Sequence, residues 1–188
     1  YLLISIWGSG RKEYSAIKFV IYTLAGSAIM LAGILLLYLH GGTFDMMELA
    51  GMGLEGAIST RLATAIFFLL FIGYAVKLPV FPLHTWLPDA HTDAPTAVSV
   101  ILAGILLKMG GYAMIRICVS IFPQVSQDYA VLLVALALVN ILYGAAVTLK
   151  QRDLKRLIAY SSISHMGYVL LGIFALSQVS MTGATLQM

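Results

Sequence analysis

With 188 residues, 61% of them hydrophobic, only 10% charged and a mean hydropathy of +0.96, the chain lies far from the roughly 25% charge of soluble domains and is predicted to be integral to a membrane. Its net charge of +3 is small, which gives no ground for expecting nucleic acid. A lone cysteine, Cys118, excludes an internal disulfide or iron–sulfur cluster, and without GxGxxG or GxxxxGK(S/T) a nucleotide cofactor has no evident seat; neither cofactor nor metal is expected in this chain.

In chain order, "YLLISIW" is too short to cross a bilayer and is predicted to be the end of a helix. Five spans follow, about Ile17 to His40, Leu62 to Leu83, Thr96 to Val119, Tyr129 to Leu149 and Leu157 to Ser177. Each is about 20 residues, enough at 1.5 Å per residue to cross a hydrocarbon layer of about 30 Å, and a helix satisfies its own backbone polar groups there. "MTGATLQM" begins a further apolar segment. The expected fold is therefore all-α, a polytopic helix bundle of about five full spans with partial helices at both ends. Residues 1–188 are expected to be an internal piece of one transmembrane domain, with neighbouring helices lying outside it.

Orientation follows from lysine and arginine in short links. Arg11, Lys12 and Lys18 flank the first span, and Lys150, Arg152, Lys155 and Arg156 crowd the link between the fourth and fifth. That side is expected to be cytoplasmic and the acidic connection from Gly41 to Thr60 external. The link "HTWLPDAHTDAP" carries neither lysine nor arginine. Pro95 and Thr96 open the third span, with Thr92 or Asp93 as its expected cap.

All eight acids (Glu13, Asp45, Glu48, Glu55, Asp89, Asp93, Asp128 and Asp153) fall in links or at span ends, whereas two lysines do not. Lys77 is about 15 residues into the second span and Lys108 about 12 into the third. A lysine at the centre of a membrane helix costs about 2.5 to 3.5 kcal/mol on insertion scales and usually marks an ion or proton path. The competing reading is snorkelling to the interface, which suits Lys77 better than Lys108. Burial lowers a lysine pKa and a nearby carboxylate raises it, so a lysine held between the two can switch protonation. With no intramembrane carboxylate in the sequence, the partner is expected in another segment or subunit.

Pro79 cannot donate to the carbonyl of Ala75, nor Pro82 to that of Leu78, so the second span is predicted to break at Pro79 and leave two loose carbonyls beside Lys77. Broken helices near the midplane recur in ion-translocating proteins, although a kink can also merely shape a bundle. His165, within "AYSSISHMGY", can exchange a proton near neutral pH. Ser161, Ser162, Ser164 and Tyr168 are positioned to hold water beside it, or His165 is a structural hydrogen bonder. His84 and His91 flank the break and the link after it, as loop or cap residues or in proton uptake. Asn140, Gly144 and Gly104 read as helix-packing positions.

The stretch "VKLPVFPLHTWLPDAHTDAPTAVSVILAGILLKMGGYAMIR", followed by "KRLIAYSSISHMGYVLLGI", resembles the antiporter-like membrane subunits of respiratory complex I, most like the subunit 4 or M type of bacterial and cyanobacterial NADH–quinone oxidoreductases. The resemblance implies that Lys77 is the lysine of the family's broken helix, paired with a glutamate on a preceding helix. It implies that Lys108 is the relay lysine of the following helix and His165 a histidine of the central hydrophilic axis, while His84 and His91 match histidines of less settled role. The family's two inverted five-helix repeats imply that this chain holds most of the first.

The expected function is proton translocation coupled to NADH (or ferredoxin):quinone oxidoreduction, with redox chemistry in other subunits and those membrane subunits as partners. The membrane would be the inner (plasma) membrane, or the thylakoid if the source is cyanobacterial. Rival expectations are a subunit of an Mrp-type cation/proton antiporter, which would make the ion Na+ as well as H+, the membrane subunit of a membrane-bound hydrogenase or of a CO2-uptake complex, and an inert assembly scaffold.

Overall fold

The computed structural model describes residues 1–188 apart from the side chain of Glu55, so the expectation for that acid lies outside the described residues. The described residues are predominantly helical and contain no strand. Helix α1 (Leu2–Trp7) and the long α2 (Lys12–Gly41) are followed by two short helices, α3 (Met46–Gly51) and α4 (Leu54–Ala57), in the acidic connection. Then come α5 (Thr60–Lys77), α6 (Trp86–Asp93) and a composite span of α7 (Thr96–Ile101) and α8 (Leu107–Ala113). The short α9 (Pro123–Asp128) leads to α10 (Ala130–Thr148), α11 (Leu154–Phe174) and α12 (Gln178–Gln187). Five helical stretches among the described residues are long and apolar enough to cross a membrane: α2, α5, the composite Thr96–Val119, α10 and α11.

Two features of these spans escaped the sequence reading. The second span breaks after Lys77, as Pro79 led one to expect, but the link after it contains a helix, α6, rather than only loop. The third span is interrupted by two wide π turns, Leu102–Leu106 and Met114–Val119, which bracket the α-helical turns carrying Lys108. Such turns are frequent at functional sites. Gly104, expected to be a packing position, lies in the first of them, where no described residue comes within 4 Å of an added Cβ. The expected caps are also corrected: Pro95 precedes α7 without a side-chain cap. Thr92 donates instead to the Pro88 carbonyl at 2.6 Å, and Asp93 accepts from Ser15 of α2.

An antiparallel ladder along α2 fixes the depth of the break. From one end, Gly33 packs on Leu70, Gly73 on Met30 and Gly26 on Val76. Beyond the break Tyr22 shares a hydrogen bond with Thr85 at 2.7 Å, Lys18 pairs with Asp89 at 2.6 Å, and Ser15 donates to Asp93. The ten residues from Val76 to Thr85 are thus accommodated opposite a single turn of α2, from Gly26 to Tyr22, so the broken segment folds back on itself. Val76 and Lys77 lie opposite the centre of this 30-residue helix, about 21 Å from its start at 1.5 Å per residue.

The basic links and α6 gather at one end of the bundle. Asp89 is held by Lys18 from α2 and lies 3.7 Å from Arg156 of α11, and Lys155 donates to the Ala94 carbonyl at 3.0 Å. The acidic connection lies at the other end, where Arg116 meets Met47 at 3.7 Å. This alternation agrees with all five spans crossing. Between the ends, Phe67 and Phe71 of α5 pack edge-on against Phe174 of α11, at 6.4 and 5.8 Å between ring centres.

Candidate functional site

Helix α5 ends at Lys77 because the next turn would need the N–H that Pro79 lacks, and because a residue before proline is driven out of the helical region. Of the two carbonyls expected to be loose, that of Ala75 is not: the Val80 N–H reaches it at 2.9 Å. The Val76 carbonyl accepts from the indole N–H of the fully buried Trp86 at 2.9 Å. The Phe81 N–H finds the side-chain oxygen of Asn140, on α10, at 2.9 Å. Protein groups thus satisfy the Ala75 and Val76 carbonyls and the Phe81 N–H, as non-helical backbone within a bilayer requires unless water does so.

Three packed helices place the sequence-predicted relay residues at one level. Gly110, two residues after Lys108, lies so close to α5 that its Cβ would stand 3.0 Å from the Leu78 nitrogen and 3.1 Å from the Tyr74 carbonyl oxygen. Gly111 faces Val169 of α11 and Met188. Helix α8 is thus wedged between the broken end of α5 and the part of α11 one turn beyond His165. Lys108 is twelve residues after Thr96 in a span ending at Val119, and His165 eleven after Leu154 in a helix ending at Phe174. Both are central in their spans, as Lys77 is opposite α2.

The three side chains are brought to one depth but not into contact. Lys77 and Lys108 are half-buried and His165 is exposed. Among the described residues neither ammonium has a carboxylate partner; both ion pairs found belong to Asp89. His165 Nδ1 is 3.4 Å from the Gln187 amide of α12. Of the hydroxyls around it, Ser162 donates back to the Ile158 carbonyl at 3.0 Å and Ser164 crosses to the Ile141 carbonyl of α10 at 3.2 Å, while Ser161 is half-buried and Tyr168 exposed.

His84 lies in the link as expected and His91 in the last turn of α6, and both are buried. His84, 2% exposed, stacks on Phe81 at 5.6 Å and meets the Tyr143 edge at 5.0 Å, and its Nδ1 has no hydrogen-bond partner. His91, in α6 between the Asp89 and Asp93 rungs, is 9% exposed with Nε2 unpartnered. It lines a cavity of about 230 Å³ with Thr96, Ser99, Lys155 and Ser162. This cavity runs from the basic end of the bundle to Ser162, one turn before His165.

His91 belongs to α6, outside the five spans and at the level of the Lys18 and Ser15 rungs, and burial together with the Lys155 cation lowers its pKa to about 4. Between pH 4 and the usual 6.5 the unfolded chain then binds the proton that the folded one refuses. The stability contributed by neutral His91 is complete above about pH 6.5 and falls as pH drops towards 4. Thermal unfolding of the purified complex should accordingly lose less stability across that window in His91→Gln than in wild type; parallel curves would contradict it.

The missed residues share one property. Asn140, expected only to pack between helices, and Gln187, Trp86 and Asp89 each act through a partner ten or more positions away, which no local pattern in the sequence discloses.

A family model described as NADH:quinone oxidoreductase/Mrp antiporter, TM, matches residues 1–188. NAD(P)H-quinone oxidoreductase chain 4 of Gloeobacter violaceus is 52% identical over the whole chain, which covers 35% of that protein. Among solved structures, a chain of respiratory complex I from Thermus thermophilus matches 97% of this chain at 33% identity with a TM-score of 0.86, over 39% of its own length. A chain of the Mrp complex from Dietzia sp. DQ12-45-1b matches 94% at 26% identity with a TM-score of 0.83, over 32% of its length. The chain thus spans about a third of the length of these relatives.

Proposed function

The chain belongs to the NADH:quinone oxidoreductase/Mrp antiporter membrane family, and from that premise we propose that it forms part of a proton-translocating membrane subunit of a complex I type enzyme. NADH (or ferredoxin):quinone chemistry and its cofactors belong to other subunits of that assembly. The residues of this chain hold and pass protons. Its partners are the neighbouring membrane subunits, in a plasma or thylakoid membrane.

A carboxylate from another segment or subunit favours the ammonium form of Lys77, and the low-dielectric surroundings favour the amine. When quinone reduction elsewhere shifts that carboxylate or its charge, Lys77 releases a proton, which Lys108 and then the region of His165 accept through water. The cavity from His91 to Ser162, whose wall also includes Val100, Ala103, Ile158 and Ala159, leads inward from the basic end past Lys155, Ser99 and Ser162. The observation that carries this reading is the alignment of two lysines without counter-charges and one histidine at the middle of three packed helices, beside a helix break.

An Mrp-type cation/proton antiporter subunit is the second reading, favoured by the likeness to the Dietzia complex. Inverted membrane vesicles containing the full-length protein distinguish the two. NADH should acidify their interior without added sodium. Sodium-driven dequenching of a pH probe in the absence of NADH, with no NADH-driven acidification, would overturn the leading reading.

A further inference from the structure

The buried side chain that spans the most structure is not one of the ionisable ones. Asn140, fully buried on α10, accepts the Phe81 N–H at 2.9 Å through Oδ1 and donates through Nδ2 to the Ile163 carbonyl of α11 at 3.0 Å. One carboxamide therefore joins the backbone of the break that follows Lys77 to the turn of α11 that carries His165. The join is tight because α10 and α11 meet through glycines. A Cβ on Gly144 would stand 2.8 Å from the Ser164 nitrogen, and one on Gly167 would stand 3.0 Å from the Ile141 nitrogen. Two titratable groups, His84 and Tyr143, pack on the Phe81 ring beside the join.

We propose that Asn140 is a positioning residue that locks the Lys77 break to the His165 turn, so that the two ends of the relay keep a fixed register. The inference rests on the relay reading above but adds a residue and a role to it. A packing amide with one partner would steady a single element; an amide that uses its acceptor on one element and its donor on another transmits a shift of either to the other. An apolar residue at this position would leave the Phe81 N–H without its partner, and the broken segment would then be free to move relative to α11. Misplacement of reacting groups by about 1 Å can cost about a hundredfold in rate.

The test uses the full-length protein in its native complex, in inverted membrane vesicles, with proton uptake measured per NADH oxidised. Asn140→Leu removes both hydrogen bonds and is expected to slow proton uptake through this subunit by up to about a hundredfold while assembly and electron transfer persist. Asn140→Asp is nearly isosteric and reproduces both bonds only when protonated, because an ionised carboxylate has no donor for the Ile163 carbonyl. Taken as a ratio to wild type at each pH, its pumping should be near unity at low pH and decline as pH rises, a trend that a loss of packing would not create. If Asn140→Leu fails to assemble, the pH profile of Asn140→Asp decides alone. Wild-type stoichiometry at every pH in the assembled Asn140→Asp complex would overturn the role of Asn140. Lys77→Ala, run alongside, separates the two failures: if it too pumps normally the relay reading falls, and if it alone fails only the Asn140 inference falls.

Discussion

Lys77→Ala in the full-length protein is expected to abolish proton uptake through this subunit while the complex still assembles. The side chain ends α5 opposite the centre of α2, and no described carboxylate contacts it. Removing it therefore breaks no hydrogen bond within the chain, and the helix already stops there because of Pro79. What is lost is the one group at the break that can change charge. A lysine at that depth carries an insertion cost of about 2.5 to 3.5 kcal/mol, so a purely structural lysine should be replaceable by alanine at no cost, or even with a gain in stability. Lys77→Arg keeps the charge but cannot release the proton at ordinary pH, and should pump as poorly as alanine. The measurement is the initial rate of NADH-driven acidification per electron in vesicles. Full pumping by Lys77→Arg would show that charge alone, without titration, suffices.

The second large effect concerns packing. Gly110→Val should lower the thermal stability of the assembled complex by about 1 to 3 kcal/mol, the usual cost of overpacking a filled interface. The Cβ of any residue at 110 would already stand 3.0 to 3.1 Å from backbone atoms of Leu78 and Tyr74, which cannot rotate away as a side chain can. Valine adds two methyl groups at that contact, and α8 must retreat from the broken end of α5. Because that contact also sets the level of Lys108 against Lys77, pumping should fall further than stability alone explains. Gly104→Ala is the control, since nothing lies within 4 Å of its added carbon, and it should leave the melting temperature of the complex unchanged or slightly raised. Equal losses in the two variants would refute the packing account.

The spans were legible because a lipid-crossing helix must be apolar for its whole length. The third span was located at Thr96 to Val119, as observed, and the others to within a few residues. The break at Pro79 was legible too, because proline removes a backbone donor wherever it stands. What fills the break was not. Val80, Trp86 and Asn140 close it through contacts set by the fold, and Asn140 lies 59 positions from the N–H it accepts. Helix α6 was read as a link because Pro88 and two aspartates obscure its apolar face, although Trp86, Leu87 and Ala90 are buried. The π turns leave no pattern in the residues, since their extra residue is accommodated by backbone geometry. Of the candidate site, the types and depths of Lys77, Lys108 and His165 were legible, whereas the clustering of His91, Thr96, Ser99 and Lys155 around one cavity came only from the packing of α6, α7 and α11.

The central claim is that two ammonium groups stand in the protein interior at mid-membrane and exchange protons through water. A structure of the intact complex in lipid, at a resolution that shows ordered solvent, tests it most directly. The account predicts a continuous file of water connecting Lys77, Lys108 and His165, with a carboxylate from another segment or subunit near Lys77. Lysine side chains directed into the acyl chains, or a dry and tightly packed gap between α5 and α8, would contradict it.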